Sequence, residues 1–339
     1  MNVSYRTRRN LQRVGIIALV AFLVISAVWL CWFLWLERFV VYTREQGAVL
    51  DMTGDPFVPE GEVAVPPEID EISVYYNEGD NAINTSKELT QIIGFYADAA
   101  ALADMAAIEE YTAKLTTGTP VMLDVKDAKG RFFYSSGVSA ERSGSVDTAA
   151  MDALIEKLDQ KGMYLIARLP ALRDYSFGLN HTENGLFVSS GAYLWADDDY
   201  CYWLDPTKQG TVTYLVEIVT ELKNLGFDEV VFDEYRFPDT DNLKFSGDRL
   251  EALNSTAKML VTTCSTNSFA VSFVSEAKGF ALPEGRSRLY VENAAAAQAA
   301  GIAAESGIAD PTVYLVFLTE VHDTRFDAYS VLRPIDSAG

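Results

Sequence analysis

DEVVFDEYRFP, residues Asp228–Pro238, is the stretch whose reading decides the fold. Its centre, Val230–Phe232, is apolar without polar alternation, the pattern of a strand in a parallel sheet covered on both faces. It runs at once into Asp233, Glu234 and Arg236. Burying such a cluster is costly unless its charges pair. An arginine beside two carboxylates holds one ionised while another titrates higher. A structural ion pair capping the strand would use the same residues, but the strand-end position favours a functional reading.

Working outward, strand-like and helical segments alternate. The strand-like runs are IIGFY (Ile92–Tyr96), PVMLDV (Pro120–Val125), MYLIARLP (Met163–Pro170), FAVSFVSE (Phe269–Glu276), RLYVEN (Arg288–Asn293) and TVYLVFLTEV (Thr312–Val321). Helical spacing occupies Asp104–Leu115, Ala149–Gly162, Thr211–Gly226, Asp248–Cys264 and the alanine-rich Ala294–Ser306. Gly162 and Gly226 stand where C-terminal caps belong. This is the order of an α/β (β/α)8 TIM-like barrel with one unit degenerate or missed. A doubly wound open sheet is the alternative. The barrel is preferred because polar residues recur at the C-terminal strand ends, where barrel active sites form. They are Asp124, Asp127, Arg168, Asp233–Arg236, Glu276, Glu292 and Glu320.

The chemistry is narrowed by what is missing. There is no phosphate loop, no G-x-G-x-x-G and no G-x-S-x-G elbow. With only two histidines, His181 and His322, a Ser-His-Asp triad or a zinc centre is not expected. No metal or cofactor is required. Carboxylate chemistry is left, and carboxylates at a barrel mouth suit glycoside hydrolysis, which needs an acid and a second carboxylate. Asp233 and Glu234 are the first candidates, and Glu276 is the expected acid partner, with Glu292 and then Glu320 behind it. Asp124 and Asp127 flank Lys126 in a segment that reads equally as a turn or as a binding loop. Arg168 and Arg236 would orient carboxylates or bind sugar hydroxyls. The long stretch Pro170–Gln209 holds Tyr175, Tyr193, Trp195, Tyr200 and Trp203, with Asp197–Asp199 and Asp205. Such a loop either offers flat ring faces to sugars or packs into its own small core.

The chain has 339 residues and a formal net charge of −21. Its only early charges, Arg6, Arg8, Arg9 and Arg13, are positive, so the rest is more acidic still. That argues against nucleic-acid partners. Val14–Leu36 is uncharged and apolar, long enough as a helix (about 34 Å) to cross a bilayer core. Trp29, Trp32 and Trp35 mark its far end, and the preceding arginines place the N-terminus in the cytoplasm. An uncleaved anchor is preferred to a signal peptide. The expected organisation is a cytoplasmic tail (1–13), a transmembrane helix (14–36), a juxtamembrane segment and acidic Pro-rich linker (37–88) and an extracytoplasmic barrel (89–336). Residues 37–51 are expected to prolong the helix. Cys201 and Cys264 would form one disulfide or remain two buried thiols.

The segments MLDVKDAKGRFFY, GMYLIARLPALRD, YWLDP and GFDEVVFDEYRFP, in this order and spacing, resemble the "putative glycosyl hydrolase domain" family. This bacterial family is assigned to the TIM barrel and is distantly related to glycoside hydrolases such as the alpha-amylase family. The likeness is strongest over Ile92–Pro238. It implies hydrolysis of a polysaccharide or cell-wall glycan, with Asp233 after strand four as nucleophile and Glu276 after strand five as acid/base. Asp124, Asp127, Arg168, Trp203, Asp205, Arg236 and Glu292 are the expected substrate-binding residues. A glycan-binding module that tethers without cleaving is the alternative.

Overall fold

The computed structural model describes residues 24–26, 28–30, 32, 40–43, 47–50, 88–275, 279–320 and 322–335. Contacts divide the chain into two compact units, Met1–Asp80 and Asn81–Gly339. In the first unit, residues 24–26, 28–30 and 32 are helical, and the rest of the expected span 14–36 lies outside the described residues. Among the described residues no helix is long and apolar enough to cross a membrane. The expected continuation of a helix through 37–51 is not found. Val40–Thr43 and Gly47–Leu50 pair as antiparallel strands, Val40 opposite Leu50 and Thr43 opposite Gly47. The β-branched run VVYT suits a strand better than a helix.

The second unit is a closed barrel of eight parallel strands in sequence order. They are β1 (Ile93–Ala97), β2 (Pro120–Asp124), β3 (Tyr164–Pro170), β4 (Glu229–Asp233), β5 (Ala270–Val274), β6 (Leu289–Val291), β7 (Leu315–Leu318) and β8 (Ser330–Pro334). The eighth strand, SVLRP, is the unit that pattern reading passes over. It closes the barrel by pairing with β1 on one side and β7 on the other. The main helices of the outer layer are α1 (Met105–Ala113), α2 (Thr148–Gln160), α4 (Gln209–Asn224) and α5 (Arg249–Cys264). A short α3 (Tyr175–Asn180) interrupts the β3–α4 loop, and the last units carry only α6 (Ala299–Glu305) and α7 (Pro311–Tyr314). The start of TVYLVFLTEV therefore belongs to α7, which Pro311 opens and the Asp310 carboxylate caps.

Strand alternation divides the core in two. Val121, Leu123, Leu165, Ala167, Val230, Phe232, Val271 and Phe273 face outward onto Leu154, Ile155, Leu215, Ile218, Leu253 and Leu260 of the helices. Met122, Ile166, Val231, Val274, Tyr290, Val316 and Leu332 fill the barrel interior. Gly94 has no alternative at its position, because a Cβ there would stand 2.2 Å from the Pro120 carbonyl oxygen of the next strand. Helix starts are fixed by Asp147, which accepts from the N–H groups of Ala149 and Ala150, and by Asp248, which accepts from that of Glu251.

The floor of the barrel is ionic. Glu229 and Arg288 are both buried and meet at 2.5 Å. Glu229 also accepts from Tyr164 Oη at 2.9 Å, Ser272 Oγ at 2.6 Å and Tyr290 Oη at 3.0 Å. Arg288 further donates to the Thr90 and Val313 carbonyls. The pair is thus fully hydrogen-bonded, the condition for tolerating charge in an interior.

Candidate active site

The inward register of β2, β3, β4 and β6 carries a polar residue to the C-terminal end of each. Met122 is followed two residues on by Asp124, Ile166 by Arg168, Val231 by Asp233 and Tyr290 by Glu292. Asp124 and Arg168 are also direct cross-strand partners. Four of the expected site residues, Asp124, Arg168, Asp233 and Glu292, therefore come to one mouth.

Arg168 is the hub. Its Nε and Nη2 donate to the two oxygens of Asp124 at 2.6 and 3.1 Å, and its Nη1 donates to Glu292 Oε1 at 2.6 Å. Asp124 Oδ2 also accepts from the Ala99 N–H at 3.0 Å, which ties β1 to the cluster. Burial alone would lower the pKa of Arg168, but Asp124, Asp233 and Glu292 hold it well above its ordinary value. Burial pushes the Asp124 carboxyl up, with Arg168 pulling against it and Asp233 adding to the rise. Glu292 is likewise raised, first by burial and then by the charge of Asp233, against the pull of Arg168. The mouth thus holds carboxyls driven towards protonation beside a further carboxylate, the arrangement from which acid and base roles arise.

Asp233 accepts from the Glu234 N–H at 2.6 Å, and its carbonyl accepts from the Ala171 N–H at 2.7 Å. Glu234 has φ 48° and Asn293, just after Glu292, has φ 56°. Left-handed backbone at a non-glycine residue costs on the order of 1 kcal/mol or more. Both cases directly follow a mouth carboxylate. Glu234 points into a second network, in which one oxygen meets Arg236 at 2.8 Å and the other Arg173 at 3.5 Å. Arg173 also holds Asp197 at 2.5 Å and Asp199 at 2.6 Å. Although burial opposes it, the hydrogen bonds from Arg173, the Cys201 N–H and Trp203 keep the Asp197 carboxyl below its usual range.

Beside Arg168 and Glu292 opens a cleft of about 480 Å³, also lined by Tyr96, Asp98 and Glu320. Burial and then Glu320 raise the Tyr96 phenol. Other expected residues take different places. Trp203 is only 3% exposed. Its indole N–H donates to Asp197 at 3.1 Å, and the Arg236 guanidinium lies 4.9 Å from its ring centre. It is packing, not an open platform. The most open rings in this loop are Tyr193 and Tyr200, 66% and 79% exposed. Asp127 is used by its own turn, accepting from the N–H groups of Lys129 and Arg131 and pairing with the Arg131 side chain. Asp205 accepts from the N–H and hydroxyl of Thr207. Cys201 and Cys264 are free and buried, so no bridge joins them. Glu276 lies outside the described residues.

Sequence reading missed Arg173, Tyr96 and Asp98 as neighbours of the mouth. Arg173 stands in a loop whose partners are distant in sequence, but Tyr96 and Asp98 lie at the end of a recognised strand, where the same rule would have found them.

A family model described as "Putative glycosyl hydrolase domain" matches residues 94–278, more than half of the chain. No curated protein matches the sequence. Among solved structures, a hypothetical protein from Ruminiclostridium thermocellum is similar at 22% identity and TM-score 0.46, over 53% of this chain and 96% of that one. The glycoside hydrolase domain of PelA from Pseudomonas aeruginosa is similar at 12% identity and TM-score 0.44, over 73% and 95%. The exo beta-N-acetylglucosaminidase of Vibrio harveyi is similar at 10% identity and TM-score 0.47, over 67% of this chain and 41% of that enzyme. The chain spans 34% to 52% of other glycoside hydrolases in this group.

Proposed function

Because the chain belongs to this glycosyl hydrolase domain family, we propose that it cleaves a polysaccharide or cell-wall glycan at the C-terminal mouth of its barrel by a two-carboxylate mechanism. The observation that carries the reading is the hub. One arginine gathers Asp124 and Glu292 at the strand ends where Asp233 also lies, with carboxyls pushed towards protonation, and a cleft opens beside Arg168 and Glu292. Asp233 is the nucleophile, or the base for a water. Arg168 orients the carboxylates, and Asp124 fixes Arg168. Tyr96, Asp98 and Glu320 bond sugar hydroxyls along the cleft. Tyr193 and Tyr200 offer ring faces to a more distant part of the glycan.

The reading extends to placement in the cell. The uncharged stretch Val14–Leu36 anchors the protein as a single span, with 1–13 in the cytoplasm, 37–88 as juxtamembrane segment and linker, and the barrel of 89–336 outside. Protease added to intact cells should then degrade the barrel, and protection of the barrel would refute this orientation.

The chemistry is tested by release of reducing ends from a panel of cell-wall, plant and microbial glycans by the full chain in detergent. Asp233→Asn runs beside it. Turnover by the wild type, lost by at least about 10³-fold in the variant, is the expected result. Glycan binding without turnover by the wild type would instead favour a tethering module.

A further inference from the structure

We infer that Glu292, at the end of β6, is the residue that protonates the leaving oxygen, across the barrel mouth from Asp233. The inference rests on the hydrolase reading above, and geometry carries it. Glu292 shares the inward register of Tyr290, and Asp233 that of Val231, with β5 between their strands. Neighbouring strands stand about 4.8 Å apart, so the two carboxylates start from walls roughly 10 Å apart and converge on the mouth. That is the arrangement needed to flank a single glycosidic bond.

Elimination among the described carboxylates points the same way. Asp124 has both oxygens committed, to Arg168 and to the Ala99 N–H. Glu234 is divided between Arg173 and Arg236. Asp98 accepts from the Ala101 N–H, and Glu320 is exposed at the rim. Glu292 has only Oε1 engaged, by Arg168, and no hydrogen bond is made to its Oε2 among the described residues. It is anchored through one oxygen and open at the other, as a proton donor must be. The left-handed Asn293 turns the chain away directly behind it. The charged groups that act on it are Arg168, Asp124 and Asp233, with Asp98, Glu320 and Asp323 lining the same cleft, and burial and Asp233 favour its protonated form.

The step balances as follows. The glycosidic C–O bond breaks, its electron pair leaves with the oxygen, and that oxygen takes the proton of Glu292. Asp233 attacks the anomeric carbon and forms an ester, losing its charge. With that charge gone, one of the causes that raised Glu292 disappears, and Glu292 becomes the base. It takes a proton from the water that attacks the anomeric carbon, the ester bond breaks, and both carboxyls return to their first states.

The test is Glu292→Gln, which keeps an oxygen for Arg168. It is measured on the oligosaccharide cleaved in the panel above and on the glycosyl fluoride of its sugar, whose leaving group needs no proton. Glu276→Gln is measured in parallel. We expect Glu292→Gln to lose about 10³-fold in kcat/KM on the oligosaccharide and less than about tenfold in kcat/KM on the fluoride, since kcat on both also carries the base role of Glu292 in ester hydrolysis. The decline of activity at high pH should also vanish in this variant. Equal losses in kcat/KM on both substrates, or the leaving-group dependence appearing in Glu276→Gln instead, would overturn the assignment while leaving the hydrolase reading standing. A wild type that cleaves neither substrate overturns both.

Discussion

Replacing Arg168 by methionine removes the hub's charge while keeping most of its apolar stem. Three charge-assisted hydrogen bonds are lost, two that Arg168 donates to Asp124 and one that it donates to Glu292. The side chains of Arg168 and Asp124 are each 15% exposed and that of Glu292 is 26% exposed, so water recovers part of the loss. Breaking a buried pair costs about 3–5 kcal/mol, and this residual exposure brings the expectation to about 3 kcal/mol at pH 7. The pH dependence is the sharper reading. Asp124 and Glu292 are already raised in the folded state, so the folded protein binds more protons than the unfolded chain above the ordinary carboxylate range. Stability therefore falls as pH rises through that window. Without Arg168 both carboxyls rise further, and the destabilisation grows from pH 5 to pH 8 as the charged forms are enforced. Urea unfolding of fragment 81–339 at pH 5, 7 and 8 measures it. A loss below about 1 kcal/mol that is the same at every pH would refute the pairing on which the site is built.

The barrel floor responds differently. Glu229→Gln leaves the buried Arg288 without its counter-charge and should cost about 3–5 kcal/mol by the same unfolding measurement. A near-neutral result would mean that Arg288 finds compensation elsewhere. The cysteines give a chemical check on the outer layer. Burial raises the Cys201 thiol and pushes that of Cys264 up to about 11. Fragment 81–339 should therefore be unreactive to a thiol reagent when folded and show both thiols in denaturant, and none in denaturant would demonstrate a bridge.

What sequence could deliver follows from where each interaction lies along the chain. Strands β2 to β5 are mostly apolar runs with polar residues at or near their C-terminal ends, and both features are local. The same local rule found Asp124, Arg168, Asp233 and Glu292. Strand β8 fails that rule, because Arg333 and Pro334 occupy the end of its run and its partners β1 and β7 supply the reason for it to be a strand. Trp203 misled for a related cause. A tryptophan among carboxylates in a long loop has the composition of a sugar platform, but the side chains that bury its indole, Asp197 and Arg236, act through tertiary contact. Asp127 was balanced between turn and site, and the turn won because the N–H groups of Lys129 and Arg131 lie within a few residues of it.

Two ionic clusters share one barrel, and their difference separates structure from chemistry. At the floor, Glu229 receives four side-chain donors and no oxygen is left over. Such a cluster is satisfied in one protonation state and would lose stability in any other, so it cannot exchange protons without cost. At the mouth, Arg168 supplies one positive charge to Asp124 and Glu292 with Asp233 close by, and one oxygen of Glu292 has no hydrogen bond among the described residues. Burial and the neighbouring carboxylates favour the protonated forms of Asp124 and Glu292 there, against the pull of Arg168. An under-compensated group of carboxylates beside an open cleft, with left-handed backbone after two of them, is costly to maintain for packing alone. In the proposed reaction a substrate that must receive a proton would give that cost a use, which is why the chemistry is proposed for the mouth and not for the better-bonded floor.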